Sequence, residues 1–136
     1  MTNEIPPFDA IADDFAFIDD WDEKYRYIID LGRRLPALTD AEHREENKVR
    51  GCASQVWLVF DQNPETIAFR GDSDAAIVKG LVALMISLFS GKTKAEVEAI
   101  DAQAKLAEID LQDHITPQRS NGVASMIKRI KAEARS

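Results

Sequence analysis

The sequence predicts an α+β fold: a small three-stranded antiparallel sheet flanked by helices. Apolar residues recur at spacings of three and four before residue 36 and again after residue 73, whereas residues 47–70 change to a period of two. Within that stretch, residues 55–60 are apolar on both faces. Val56, Leu58 and Phe60 would point one way and Trp57 and Val59 the other, so each face needs a cover that helices can supply.

The elements follow in order. Residues 7–17 carry Phe8, Ile11, Ala12 and Phe15 at helical spacing behind Pro7, a residue suited to a first turn. Asp20 and Glu23 have capping-pair spacing, and Trp21, Tyr25, Ile28, Leu31 and Leu35 then repeat along a second helix that Pro36 stops. Thr39 and Asp40 can cap a short helical turn through Arg44. Three extended segments are expected at 47–50, 55–60 and 66–70, where Ile67 and Phe69 alternate with Thr66, Ala68 and Arg70; residues 61–65 are turn chemistry.

Ser73 or Asp74 can cap the next helix, which runs from Ala75 to about Phe89 with Ile77, Leu81, Leu84, Met85 and Leu88 on its buried stripe, and which Gly91 ends. Thr93 with Glu96 predicts a capped helix through about Ala102, and residues 104–109 keep helical character. Thr116-Pro117 opens a last helix with Val123, Met126, Ile127 and Ile130 facing inward. No repeat or linker divides these elements, so residues 1–136 are expected to form one domain. At that length roughly two thirds of the unfolded surface can be buried.

Composition excludes several classes of function. The formal net charge is −7, and the Arg33-Arg34 pair and the basic stretch from Lys128 to Arg135 are too short and too diluted by Glu to form the stripe that phosphate binding needs; no nucleic-acid partner is expected. The longest apolar run, residues 80–89, is far too short to span a bilayer, so no membrane role is expected. The opening Met-Thr-Asn-Glu-Ile-Pro-Pro lacks the basic and apolar regions of a secretory signal. A chain with one cysteine makes no internal disulfide, which fits a reducing compartment and a cytoplasmic location.

That cysteine, Cys52, is the one candidate for chemistry. It sits in Lys48-Val49-Arg50-Gly51-Cys52-Ala53-Ser54, where Gly51 can turn the chain sharply and place the thiol at a loop tip. Lys48 and Arg50 bring positive charge, which would favour the thiolate and lower the thiol's pKa. Free cysteine is also among the most buried residue types and packs as a small hydrophobe, so position alone leaves both readings open.

Its solitude narrows the chemistry. A structural metal site needs clustered thiolates or imidazoles, and His43 and His114 are isolated, so no metal is expected. A dithiol redox enzyme needs a resolving cysteine. His43 is expected in a solvated turn and His114 in a loop or at a helix end. What remains is a thiol that works with a second protein, and sulfur transfer fits: it needs one cysteine, a loop that reaches into another active site, and shelter for the product. An apolar pocket lined by residues such as Trp57, Leu58 or Leu81 could give that shelter.

The run Val49-Arg50-Gly51-Cys52-Ala53-Ser54-Gln55-Val56-Trp57 closely resembles the sulfur-acceptor loop and following strand of the SufE family, including its CsdE relatives. Further similar stretches are Trp21 to Tyr25 with Ile28 to Pro36, Gly71 to Leu81, and Leu111 to Gly122. The resemblance implies a fold like that of the IscU-type scaffolds, without their three-cysteine set. It also implies a pyridoxal-phosphate cysteine desulfurase of the SufS or CsdA type as partner, with an iron-sulfur scaffold complex downstream. By that resemblance Cys52 would accept persulfide sulfur and stimulate the desulfurase without being an enzyme or holding a cofactor itself. Gly51 and Ser54 would shape the loop, and Arg50, Asp74 and Arg119 would hold it or touch the partner. Asp74 as a plain helix cap and Arg119 as a plain surface residue remain open alternatives.

Overall fold

The computed structural model describes residues 5–61 and 63–136. Six α-helices are present among them: α1 (Phe8–Ala16), α2 (Trp21–Arg33), α3 (Ala76–Phe89), α4 (Lys94–Ala99), α5 (Ala102–Ala107) and α6 (Pro117–Arg135). The strands are β1 (Val56–Phe60), β2 (Thr66–Ile67), β3 (Phe69–Ser73) and β4 (Lys92–Thr93), and 3-10 turns occupy Asp40–Glu42, Glu45–Asn47 and Leu111–Asp113. The α+β class is as predicted. The expectation of no secretory signal concerns residues 1–4 in part, which lie outside the described residues.

Helix α3 organises the core. It packs against α1, α2, α6 and β3, and it is buried on almost every side, Val78, Val82, Ala83 and Ile86 as well as the predicted stripe of Ile77, Leu81, Leu84, Met85 and Leu88. A helix apolar all round is a core helix rather than a surface one. Its closest neighbour is α2, and two glycines make the approach possible: a Cβ on Gly80 would lie 2.2 Å from the Ile28 carbonyl oxygen, and one on Gly32 would lie 2.6 Å from the Gly80 nitrogen. Ile28 and Leu31 of α2 and Ile11 of α1 complete that side of the core.

The sheet differs from the predicted meander. β1 pairs antiparallel with β3, Val56 opposite Ser73 through Phe60 opposite Phe69. The first expected strand, 47–50, is reduced to an isolated bridge between Lys48 and Trp57, next to a Val49 N–H bond to the Val56 carbonyl at 2.9 Å. The segment predicted at 66–70 is divided: Thr66 and Ile67 pair with Lys92 and Thr93 in a separate small sheet. The true partner of β1 runs three residues further, through Gly71-Asp72-Ser73, where propensity is poor but Gly71 and Ser73 face the buried side. Pairing and burial outweigh intrinsic strand preference here. Between the sheets, the Asn63 side chain accepts the Glu65 and Thr66 N–H groups, as turn chemistry requires; Gln62, within the same expected turn, lies outside the described residues.

Most helix ends follow the sequence signals. Thr39 with Glu42 and Thr93 with Glu96 form complete capping boxes, and the Thr116 side chain accepts the Arg119 N–H behind Pro117. Asp20 caps α2 through the Asp22 N–H without using Glu23. The helix expected from Thr93 stops at Ala99, and Asp101 caps a new one. Neither Ser73 nor Asp74 is the N-cap of α3; Ala75 holds that position with no side-chain bond. Both residues bond the end of the cysteine loop, and the Ser73 hydroxyl also accepts the Ala75 N–H at 3.3 Å.

Candidate functional site: the Cys52 loop

The loop leaves the bridge at Lys48 and returns to β1 at Val56. Gly51 takes φ +87°, a left-handed conformation that glycine adopts without strain. An added Cβ there would also lie 2.6 Å from the Ser125 hydroxyl of α6, so the turn is both bent and pressed against that helix. The root of the loop is gripped by Arg129, one α6 turn further on, whose guanidinium donates to the Lys48 and Glu46 carbonyls at 3.1 and 3.0 Å.

The far end is pinned from the chain just before α3. The Asp74 carboxylate accepts the Gln55 N–H at 3.1 Å, the Asp74 N–H donates to the Gln55 carbonyl at 3.3 Å, and the Ser73 hydroxyl donates to the same carbonyl at 2.7 Å. Residues 50–54 thus span two fixed points. Gly51 and Ala53 are exposed, and Cys52 and Ser54 are half-buried.

The Cys52 thiol points inward. Its S–H faces the Gly122 carbonyl at 3.7 Å, a weak contact, and it borders a cavity of about 20 Å³ lined by Ala53, Ser54, Val78, Leu81, Arg119 and Met126 among others. That is room for a single atom-sized guest. Of the wall residues expected from sequence, Leu81 is present and Trp57 and Leu58 are not: Leu58 lies deep in the core, and Trp57 stands on the other side of β1 with its ring edge-on to His43. Arg119 is half-buried in the cavity wall, while Arg50 and Asp74 are exposed.

Electrostatics at the thiol run opposite to the sequence expectation. Lys48 and Arg50 both turn to Glu45, at 3.3 and 3.2 Å, so their charge is matched by a carboxylate. Burial then dominates and pushes the Cys52 thiol up from its ordinary pKa. Burial thus favours the thiol over the thiolate while the sulfur faces α6.

The histidines are also more engaged than expected. His43 joins the Thr39 carbonyl at 2.8 Å to the Asp72 carboxylate at 2.7 Å, with Lys79 on the other Asp72 oxygen at 3.5 Å. The bond to Asp72 is the main reason its pKa is raised. His114 stacks on Trp21 at 3.7 Å between ring centroids. No group of three or more His, Cys, Asp or Glu among the described residues could hold a metal ion, and no described helix is long and apolar enough to cross a membrane.

Residues 73, 122, 125 and 129 carry loop contacts that sequence reasoning did not assign. One signal was available for Gly122, an isolated glycine inside a helical pattern, which commonly marks a packing or functional constraint.

Comparison with known proteins shows the family and the fold. Residues 9–134 match the family model described as SufE: Fe-S metabolism associated domain. An uncharacterized SufE-like protein of Rhizobium meliloti is 50% identical over 130 residues, covering 93% of each chain. A second, of Rhizobium etli, is 50% identical over 131 residues, covering 93% of this chain and 88% of its own. The solution structure of a hypothetical protein from Thermus thermophilus superposes with a TM-score of 0.75 at 16% identity over 96% of both chains, a likeness of fold. On the match over residues 9–134 and the 50% identity to two SufE-like proteins, the chain belongs to the SufE family of domains associated with iron-sulfur metabolism.

Proposed function

We propose that this protein is a sulfur acceptor and carrier, taking persulfide sulfur onto Cys52 from a pyridoxal-phosphate cysteine desulfurase of the SufS or CsdA type and passing it to an iron-sulfur scaffold complex. The observation that carries this reading is the half-buried Cys52 Sγ on a loop fixed at both ends, beside an apolar void of about 20 Å³. A hydrolytic or redox thiol would need a base or a second thiol. His43 is bonded to Thr39 and Asp72 and His114 is stacked on Trp21.

Transfer begins when the loop leaves α6. The free-energy cost of ionising Cys52 at rest comes from burial, so presentation to a partner favours the thiolate. The thiolate attacks the outer sulfur of the partner's persulfide. A Cys52 sulfur–sulfur bond forms as the partner's breaks, and the electron pair of the broken bond leaves on the partner's cysteine, which regains a proton in place of the one Cys52 gave up. There is no net oxidation, and the chain supplies no cofactor.

The other residues support this step. Gly51 gives the bend, Ser54 and Arg119 line the shelter, and Asp74 latches the loop through Gln55. Arg50, exposed two residues before Cys52 in the chain, is assigned here to contact with the partner. The test is desulfurase turnover with free cysteine in the presence of the protein or its Cys52→Ala variant. Sulfur transfer predicts that the wild type accelerates turnover and the variant does not. Equal acceleration by the variant would show regulation by docking alone.

A further inference from the structure

Gly122 is the sixth residue of a long helix, a position where glycine weakens the helix relative to alanine. Backbone angles do not demand it, since its φ is not positive. Packing does not demand it either. A Cβ built there would meet, outside its own helix and among the described residues, only Cys52: Sγ at 3.6 Å and Cβ at 3.9 Å, both ordinary van der Waals distances. Alanine would therefore sit comfortably against the resting thiol. What it would remove is space, because Gly122 lines the cavity beside Cys52.

We propose that Gly122 determines which form of Cys52 the closed loop accepts: its missing side chain reserves the volume for the outer sulfur of the persulfide, so that the loaded loop can close against α6 as the unloaded one does. This rests on the sulfur-carrier reading. The cavity of about 20 Å³ holds one atom-sized guest. A methyl group at Gly122 fills part of the same space, and overpacking a closed site is strongly unfavourable. The facing wall, from α3, is Val78, 6% exposed, with Leu81, while Met126 lines the cavity from α6 itself. Opening of the loop for acceptance does not depend on Gly122; protection after acceptance does.

The test separates the two forms of the thiol. Cys52 is loaded chemically with glutathione persulfide, without any desulfurase, and loss of the outer sulfur to dithiothreitol is followed by intact-protein mass spectrometry. In that reaction the dithiol reduces the persulfide, leaving Cys52 as thiol, releasing hydrogen sulfide and closing to its cyclic disulfide. In parallel, the unloaded protein is alkylated with iodoacetamide.

Gly122→Ala is expected to lose its persulfide sulfur at least about tenfold faster than wild type, while its free thiol is alkylated at the wild-type rate. Gly122→Ala combined with Val78→Ala, which removes volume from the facing wall, is expected to recover protection. Unchanged persulfide lifetime, or equal acceleration of both reactions, would overturn the proposal, since the second result means only a looser loop. Failure of the carrier reading shows elsewhere: a persulfide that is protected in the wild type but never delivered by a desulfurase.

Discussion

Asp74 and Gln55 form a two-bond clasp, the Asp74 carboxylate taking the Gln55 N–H at 3.1 Å and the Asp74 N–H reaching the Gln55 carbonyl at 3.3 Å. The clasp lies where the cysteine loop rejoins β1, so it couples the start of α3 to the mobility of Cys52. Asp74→Ala removes the side-chain bond and keeps the backbone one. An exposed bond of this kind contributes about 0.5–1.5 kcal/mol, so the open loop becomes about two- to thirteenfold more populated. Alkylation of Cys52 by iodoacetamide should accelerate by that factor, with the urea midpoint lowered by no more than the same free energy; an unchanged rate would mean that Asp74 does not hold the loop closed.

The pH dependence of that alkylation follows from burial. Because burial raises the Cys52 thiol above its ordinary pKa, the rate in the wild type should climb at higher pH than for a cysteine in an unfolded peptide. In Asp74→Ala the profile should move down toward the peptide's. A wild-type profile at or below the peptide value would mean that Lys48 and Arg50 act on the thiol despite Glu45.

Two surface clusters set how stability varies with pH. His43 bonds to the Thr39 carbonyl and the Asp72 carboxylate, both acceptors, so the doubly protonated ring serves both. Asp72, Lys79 and Asp40 are the charged groups around it. A histidine whose folded pKa is raised adds stability that is complete below its unfolded value and is lost as pH rises through the folded one. The urea midpoint of wild type should therefore exceed that of His43→Gln most at mildly acidic pH, and the gap should close as pH rises. A gap that widens instead would contradict this.

On the acid side, the Glu42 carboxyl is held down to about 2, first by its bond from Arg70 and then by the Thr39 N–H. A carboxyl with a depressed pKa adds stability above its unfolded value and loses it as pH falls toward the folded one. Wild type should lose urea resistance between about pH 4.5 and about pH 2 more steeply than Glu42→Gln. Parallel curves would show that the Arg70 pair has no bearing on folding.

The α2–α3 contact offers a test of packing. A Cβ at Gly80 would lie 2.2 Å from the Ile28 carbonyl oxygen, a backbone atom that cannot turn aside. Gly80→Ala should destabilise the protein by about 3 kcal/mol, at the upper end of overpacking costs, despite alanine's better helix propensity. Gly91→Ala meets nothing within 4 Å but must adopt φ +83°, so its smaller cost, about 1–2 kcal/mol, is conformational. Equilibrium urea unfolding of both variants separates the two mechanisms.

The parts of this molecule that are readable in sequence are those governed by near neighbours. Thr39, Thr93 and Thr116 cap their helices because capping is decided within three residues, and β1 is recognisable from Val56-Trp57-Leu58-Val59-Phe60 alone. β3 falls outside its expected bounds because Gly71-Asp72-Ser73 has little strand character of its own and is held by β1. Asp74 has the composition of a helix cap, and only the return of Gln55 across 19 residues of sequence reveals its other use. The basic residues beside Cys52 suggest an activated thiol, but Glu45 takes both charges and burial decides the balance. Gly122 stands 70 residues from Cys52, and no local pattern joins them.

Covalent movement of sulfur onto Cys52 is the central claim, and intact-protein mass spectrometry tests it most directly. The protein is mixed with a SufS- or CsdA-type desulfurase and free cysteine, separated without reductant, and weighed. Sulfur transfer predicts the mass of one added sulfur atom, located by peptide mapping on Cys52 and absent from Cys52→Ala. A wild-type protein that stimulates the desulfurase yet keeps its unmodified mass would contradict it.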